Sequence, residues 1–217
     1  NHYVIDVAAR GVYAAPNHMT LQGIAGGSLS QLVTFTNSYK EIDAVTTGAG
    51  FVKPTVEEAE VEDGSAVVKF FEVKESTALI RTAIEEVGDP NASLSLNLYY
   101  RDEAAGGWVK VGRRTGRAAV QEWEWLNPAP GTYAVEILGN RVPAGKSSLK
   151  LSRLIVTEGG EGVSPPNTVA IRSFGATWNS RVHFQVPITP GTYTGAVILK
   201  DGRSGKILTV VPVEVRP

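Results

Sequence analysis

The chain has no cysteine, one methionine, only three histidines and no excess of charge of either sign. Without cysteine there is no disulfide framework, no thiolate metal site and no cysteine nucleophile. The 21 basic and 22 acidic side chains leave a formal net charge of −1. No global field therefore gathers polyanions or anionic lipid, and nucleic acid is not an expected partner. No apolar run approaches the roughly 20 residues that span a bilayer, so membrane insertion is not expected either. Exported proteins of bacteria and archaea commonly dispense with cysteine and rely on larger cores or bound Ca²⁺. A chain that opens at Asn1 without an initiator methionine reads as a fragment or a processed product. The expected location is extracellular, either secreted or at the cell surface.

What the chain does contain points to β-structure. The 23 Gly and 12 Pro punctuate short runs rich in Val, Ile, Thr and Tyr, and a hydrophobic fraction of 42% suffices for real cores. Helical spacing can be read only over Glu75 to Glu86, through Leu79, Ile80, Ala83 and Ile84. Thr77, Thr82 and Ile80 suit a strand there, and strand is the reading adopted. Pro130-Gly131-Thr132-Tyr133 returns as Pro190-Gly191-Thr192-Tyr193, each followed by apolar alternation. In a β-sandwich, a Tyr just inside a strand tucks under the preceding turn and bonds its hydroxyl to upstream backbone, forming a tyrosine corner. Pro fixes φ in that turn, Gly supplies φ > 0 and Thr favours the extended strand. Tyr133 and Tyr193 thus mark two sandwiches, and the expected fold class is all-β.

A corner lies late in its sandwich, with roughly two strands after it, and an immunoglobulin-like sandwich takes about 100 residues. Too little chain separates the loop Glu158 to Gly162 from Pro190, and too much precedes Pro130. An insertion balances the account. Residues 1–53 and 158–217 then form one discontinuous immunoglobulin or fibronectin III-like sandwich, with strands near Thr20-Leu21 and Gln31 to Thr36 completed by the segment from Val169 onward. Residues 54–157 form an inserted jelly roll, entered near Val52-Lys53-Pro54 and left near Gly159 to Gly162.

Within that insert, Leu94 to Tyr100, Trp108-Val109-Lys110-Val111 and Asn127 to Ile137 resemble the bacterial pre-peptidase C-terminal domain. That family is a jelly roll placed after the catalytic domain of secreted peptidases and is similar to the collagen-binding domains of clostridial collagenases. Where it usually carries aspartate-leucine-aspartate-leucine-tyrosine, this chain has Ser95-Leu96-Asn97-Leu98-Tyr99, so both carboxylates of that site are replaced by neutral oxygens. The outer segments Val33 to Asn37 and Val186 to Gly195 look like the modules that follow subtilisin-like catalytic domains. In the collagen-binding relatives an acidic linker beside the jelly roll holds Ca²⁺. The resemblance would allow Glu58, Glu60 and Asp63 of the run Glu57 to Gly64 to do the same, although no cofactor is required. From the residues alone, that run reads as a solvated edge preceding the first strand of the insert.

Catalytic patterns are wanting. His2 lies near a terminus, His18 in the turn Pro16-Asn17-His18, and His183 alternates with Val182 and Phe184 in a strand. No glycine-x-serine-x-glycine elbow, subtilisin serine motif or histidine pair at metal spacing occurs. Glu122 and Glu124 share one face of a strand about 6 to 7 Å apart, a spacing that glycosidase carboxylates also use. They alternate with Trp123 and Trp125, which either fill a core or, with Tyr99 and Tyr100, form an aromatic platform for sugar rings or a proline-rich backbone. The basic cluster Lys110, Arg113, Arg114 and Arg117, with two Gly in it, reads as a solvated turn. Gly26-Gly27 and Gly159-Gly160 read as turns rather than phosphate loops.

Three functions are compatible with this reading. The first is a non-catalytic C-terminal accessory region of a secreted subtilisin-like peptidase, which supports the stability or folding of the catalytic domain of the same polypeptide or binds proteinaceous substrate; the partners expected are that catalytic domain and a protein or polysaccharide substrate. The second is a carbohydrate-binding module, and the third an adhesin or surface-layer spacer. Exposure separates them, because a solvent-facing aromatic row belongs to a binder and buried Trp to a stabiliser or spacer.

Overall fold

A computed structural model describes residues 11–117 and 121–217. The chain opens with β1 (Val12–Ala15), β2 (Met19–Gln22), β3 (Ser28–Asn37) and β4 (Ile42–Val52). It continues through β5 (Thr55–Glu62), β6 (Ala66–Val73), β7 (Thr77–Val87), β8 (Ser93–Asp102), β9 (Gly107–Arg117), β10 (Gln121–Leu126), β11 (Gly131–Arg141) and β12 (Lys146–Thr157). It closes with β13 (Val163–Ser164), β14 (Ala170–Arg172), β15 (Thr177–Gln185), β16 (Tyr193–Asp201) and β17 (Ile207–Arg216). The architecture is all-β, with strands arranged in packed pairs of sheets. Two compact units divide it. Among the described residues, one comprises residues 11–51 and 158–217, the other residues 52–157.

In the outer unit, a four-stranded sheet β1-β3-β15-β13 faces a five-stranded sheet β14-β4-β16-β17-β2. The order matches the ABED and C′CFG sheets of an immunoglobulin-like sandwich, although β13 precedes β14 in sequence where that fold has the reverse. The chain changes sheet between β1 and β2, and β2 runs parallel to β17 with Met19 opposite Val213. Segments far apart in sequence pair directly. Val33 lies opposite Ser180 and Phe35 opposite Trp178, and Val33, Phe35, Phe184, Val197 and Val211 share one core. The two ends of the outer segments also meet: the Gly159 N–H donates to Gly48 O at 2.8 Å, and Gly50 N–H returns to Gly159 O at 2.7 Å. Chain leaving this unit at Phe51 therefore re-enters it beside its exit point.

In the inserted unit the sheets are β10-β7-β12-β5 and β6-β11-β8-β9. Counted from its own first strand, that order is 1-8-3-6 facing 2-7-4-5, the double-sheet jelly-roll arrangement. Ile80, Ile84, Leu94, Leu96, Leu98, Val135, Ile137 and Leu151 meet between the sheets.

Two sequence readings are corrected here. The basic cluster Lys110 to Arg117 is not a turn but lies within β9, at the edge of its sheet. Gly112 belongs in that strand because a Cβ there would come 2.8 Å from the Trp123 ring. The acidic run does not precede the first inserted strand; Glu57 to Glu62 are in β5 itself. Cationic partners make that strand tolerable: Glu57 is bonded by Arg153 at 2.9 Å and lies 3.4 Å from Lys69, and Glu60 pairs with Lys146 at 3.1 Å.

Candidate functional site

The sheet β6-β11-β8-β9 turns one face to the core and the other outward. Strand alternation decides which side chains stand outside. Leu94, Leu96 and Leu98 of β8 enter the core, which leaves Ser95, Asn97, Tyr99 and Arg101 on the open face. Registers then fix the cross-strand rows. Phe70, Ala134, Tyr99 and Lys110 lie side by side, as do Val68, Glu136, Asn97 and Arg113. Trp108 stands opposite Arg101. An irregularity between Leu98 and Tyr99 keeps both Lys110 and Arg113 on this face, since the β9 partner jumps from Gly112 to Lys110.

The floor of the face is polar and closely bonded. The Asn97 amide donates to Glu136 Oε2 at 2.7 Å, and the Tyr99 hydroxyl donates to the same oxygen at 3.0 Å. Ser95 shares hydrogen bonds with Thr115 and Asn140. Asn97 is only 2% exposed, and its Oδ1 has no hydrogen-bond partner. Beside this floor, in the next rows along the strands, lie two rings from the opposite edges of the sheet. Phe70 of β6 and Trp108 of β9 are tilted at 42° with centroids 5.5 Å apart, while the small, buried Ala134 occupies β11 between them. They remain 61% and 43% exposed. A paired aromatic surface left open to water on a strand face makes this face the candidate contact site.

Its electrostatics are asymmetric. Arg101, Lys110 and Arg113 are exposed on the β8–β9 side, and no described carboxylate forms an ion pair with any of them. The Lys110 ammonium sits 5.1 Å from the Tyr99 ring centroid, and Arg113 Nε donates to Thr115 Oγ1 at 3.1 Å. The acids of the face are engaged instead: Glu136 by Asn97 and Tyr99, and Glu72 by the Thr132 hydroxyl at 2.7 Å.

The residues singled out in sequence are distributed differently. Trp123 and Trp125 are half-buried and pack against the jelly-roll core. Trp123 Nε1 donates to Leu96 O at 3.2 Å, and the Arg114 guanidinium lies over its ring at 4.8 Å. Tyr100 points to the same interior, against Tyr133, so only Tyr99 of the proposed platform stands on the open face. Glu122 and Glu124 face outward and flank Arg81, which lies 3.6 Å from Glu122 and bonds Glu124 through Nε at 3.0 Å. Of the acidic trio, Glu58 and Glu60 line a groove of about 550 Å³ with Val87, Ser148 and Lys150. Asp63 lies beyond the end of their strand and accepts the Val142 N–H at 2.6 Å. The structure does not gather the three, and among the described residues no group of three metal-ligating side chains occurs.

The corners are Tyr133 and Tyr193, 2% and 9% exposed. Each hydroxyl donates to the carbonyl four residues upstream, Ala129 O and Thr189 O, at 3.0 Å. Gly131 and Gly191 precede them by two residues at φ of 138° and 141°, a region that L side chains avoid. His2 lies outside the described residues. His18 is exposed between β1 and β2, and His183 Nδ1 meets Ser30 Oγ at 2.7 Å on an exposed face without a carboxylate to orient it.

Phe70 and Trp108 were not paired in the sequence reading. The signal available was the doublet Phe70-Phe71, which in a strand must send one ring inward and one outward.

No protein-family model matches the sequence, and comparison with curated proteins gives no match. Among solved structures, the Yersinia pseudotuberculosis-derived mitogen is similar over 51% of this chain and 91% of its own, at 13% identity and a TM-score of 0.36. PapD-like domain 7 of human CEP192 is similar over 100% of this chain and 93% of its own, at 7% identity and a TM-score of 0.31. Tripeptidyl peptidase 2 is similar over 87% of this chain and 26% of its own, at 10% identity and a TM-score of 0.36. Likeness at this level assigns neither family nor activity.

Proposed function

We propose that the chain is a non-catalytic accessory region of a secreted enzyme and that its inserted jelly roll anchors a catalytic domain of the same polypeptide to a polymer, either its substrate or the matrix around it. The observation that carries this reading is the exposed Phe70–Trp108 pair on the open face of β6-β11-β8-β9. Rigid rings on a sheet give contact area at little entropic cost, and a flat face suits a long polymer better than a small molecule. The likeness of Asn127 to Ile137 to the pre-peptidase C-terminal domain makes a subtilisin-like peptidase the parent enzyme in this reading.

Nothing around the two described histidines, His18 and His183, supports bond chemistry. A nucleophile needs a base that is itself oriented, and the exposed Ser30–His183 contact has no third member. The purified chain is expected to release no product above buffer from casein, simple esters or simple glycosides. It is also expected to co-sediment with at least one insoluble polymer, whether gelatin or a polysaccharide. Turnover that survives repurification and disappears in His18→Ala or His183→Ala would overturn the non-catalytic reading, and failure to sediment with any polymer would make the chain a spacer.

A further inference from the structure

We infer that the open face of β6-β11-β8-β9 is a binding site for an acidic polysaccharide, whose sugar rings stack on Phe70 and Trp108 while its carboxylates reach Arg101, Lys110 and Arg113. This rests on the reading of the chain as a polymer-binding accessory region and names the class of polymer that this face would hold; beside a peptidase, that polysaccharide is the matrix that anchors the enzyme and not the polymer it cuts.

Three independent features converge on one side of one sheet. The first is apolar: Phe70 and Trp108, tilted by 42° at 5.5 Å, flanked by the exposed Val68. Pyranose rings carry apolar C–H faces that pack on aromatic rings, and burying a Phe side chain stabilises by roughly 1.5 to 3 kcal/mol. The second is charge. Three exposed cations without carboxylate partners stand on neighbouring strands beside those rings, with Lys110 next to Tyr99 and Arg113 next to Asn97. Glu136 and Glu72 keep their charge, being bonded by neutral donors, but they stand on β11 and β6, so the three cations of β8 and β9 leave that side complementary to an anion. The third is the polar floor. The buried Asn97 Oδ1, without a partner, lies in the row that joins Glu136 to Arg113, where it can accept a sugar hydroxyl after a small side-chain shift.

A neutral glycan would use the rings but leave the cations without purpose. A protein substrate would not need their grouping. Nucleic acid also offers rings and anions, but a chain with a net charge of −1 lacks the field that gathers a polymer with one phosphate per nucleotide. An acidic polysaccharide uses both halves of the face together.

The test is affinity electrophoresis of the whole chain in native gels cast with polygalacturonate, with dextran and single-stranded DNA as separate gels. Migration should be retarded by polygalacturonate and not by dextran or DNA. Phe70→Ala and Trp108→Ala should each weaken retardation by about tenfold. Lys110→Ala with Arg113→Ala should do the same, and raising NaCl from about 0.05 to about 0.5 M should largely abolish it. Phe174→Ala, an exposed residue of the outer unit, should change nothing. Thermal midpoints of both ring variants should be measured alongside, because Phe70 is 61% and Trp108 43% exposed and a midpoint near the parent's reports folding separately from binding. Retardation equally strong in both ring variants, or equal in dextran, overturns the inference. So does retardation by DNA without polygalacturonate. Sedimentation with gelatin but no retardation by polygalacturonate overturns this inference while leaving the accessory role standing, whereas catalytic turnover overturns that role itself.

Discussion

Tyr133→Ala is expected to destabilise the inserted jelly roll by about 3 to 5 kcal/mol, and Tyr193→Ala to do the same to the outer sandwich. Both rings are buried, and Tyr133 packs between Phe71, stacked at 5.7 Å, and Tyr100, tilted at 5.1 Å. Truncation would leave a cavity that the surrounding strands cannot close, because Gly131 and Gly191 are held at positive φ in turns that aim each Tyr inward. Tyr→Phe keeps the packing and removes the bond to Ala129 O at Tyr133, and the bonds to Thr189 O and Thr189 Oγ1 at Tyr193, at a cost of about 1 kcal/mol. Urea midpoints of the four variants would measure both effects, and midpoints matching the parent in both Ala variants would dispose of the corner role. The Tyr133 phenol adds a pH signature. Burial, then the neighbouring Tyr100, raise its pKa above the ordinary 10.0, against a smaller lowering by the bond to Ala129. The folded state thus favours the neutral phenol. Its contribution is fully present below the unfolded value and is lost as pH rises through the raised one. Tyr133→Phe should therefore flatten the alkaline limb of the jelly roll's stability profile.

Much of the fold could be read from local chemistry because strand signals here are local: β-branched runs, Pro-Gly turns and the Tyr that follows them. Where the reading faltered, the deciding contact lay far away in sequence. Thr77 to Ile84 showed no clean alternation because β7 is central, between β10 and β12, and is buried along nearly its whole length, so that a helix could be written over it. Gly112 looked like turn punctuation in a basic cluster because nothing local shows that Trp123 will lie against it. The acidic run looked unfit for a strand until Lys146 and Arg153, on β12, appeared opposite and beside it. The candidate site was less legible for the same reason. Alternation shows that Trp123 and Trp125 share a face but not that the face packs on the core. Phe70 and Trp108 belong to strands at opposite edges of one sheet, and only the 2-7-4-5 order of the jelly roll brings their rings together.

Cutting the chain at its unit boundaries should produce opposite outcomes for the two pieces. Among the described residues, the strands that pair with β5 to β12 are those same strands, so a fragment of residues 52–157 carries both sheets and its own core. It should fold alone and unfold in one cooperative step. A fragment of residues 158–217 keeps β13 to β17 but loses β3, the partner of β15, and β4, which joins β14 to β16. A large part of the core goes with residues 11–51, including Val33, Phe35 and, on β2, Met19 and Leu21, and the bared edges of β15 and β16 invite aggregation. That piece should not fold. Joining Phe51 to Glu158 through a linker of about four Gly or Ser residues should restore it, since Gly50 and Gly159 are already hydrogen-bonded and closing so short a loop costs little entropy. Thermal melts and amide dispersion of the three polypeptides would decide the matter. A sharp transition in residues 158–217 alone would mean that the last five strands close their own core, and that residues 11–51 are not part of the same cooperative sandwich.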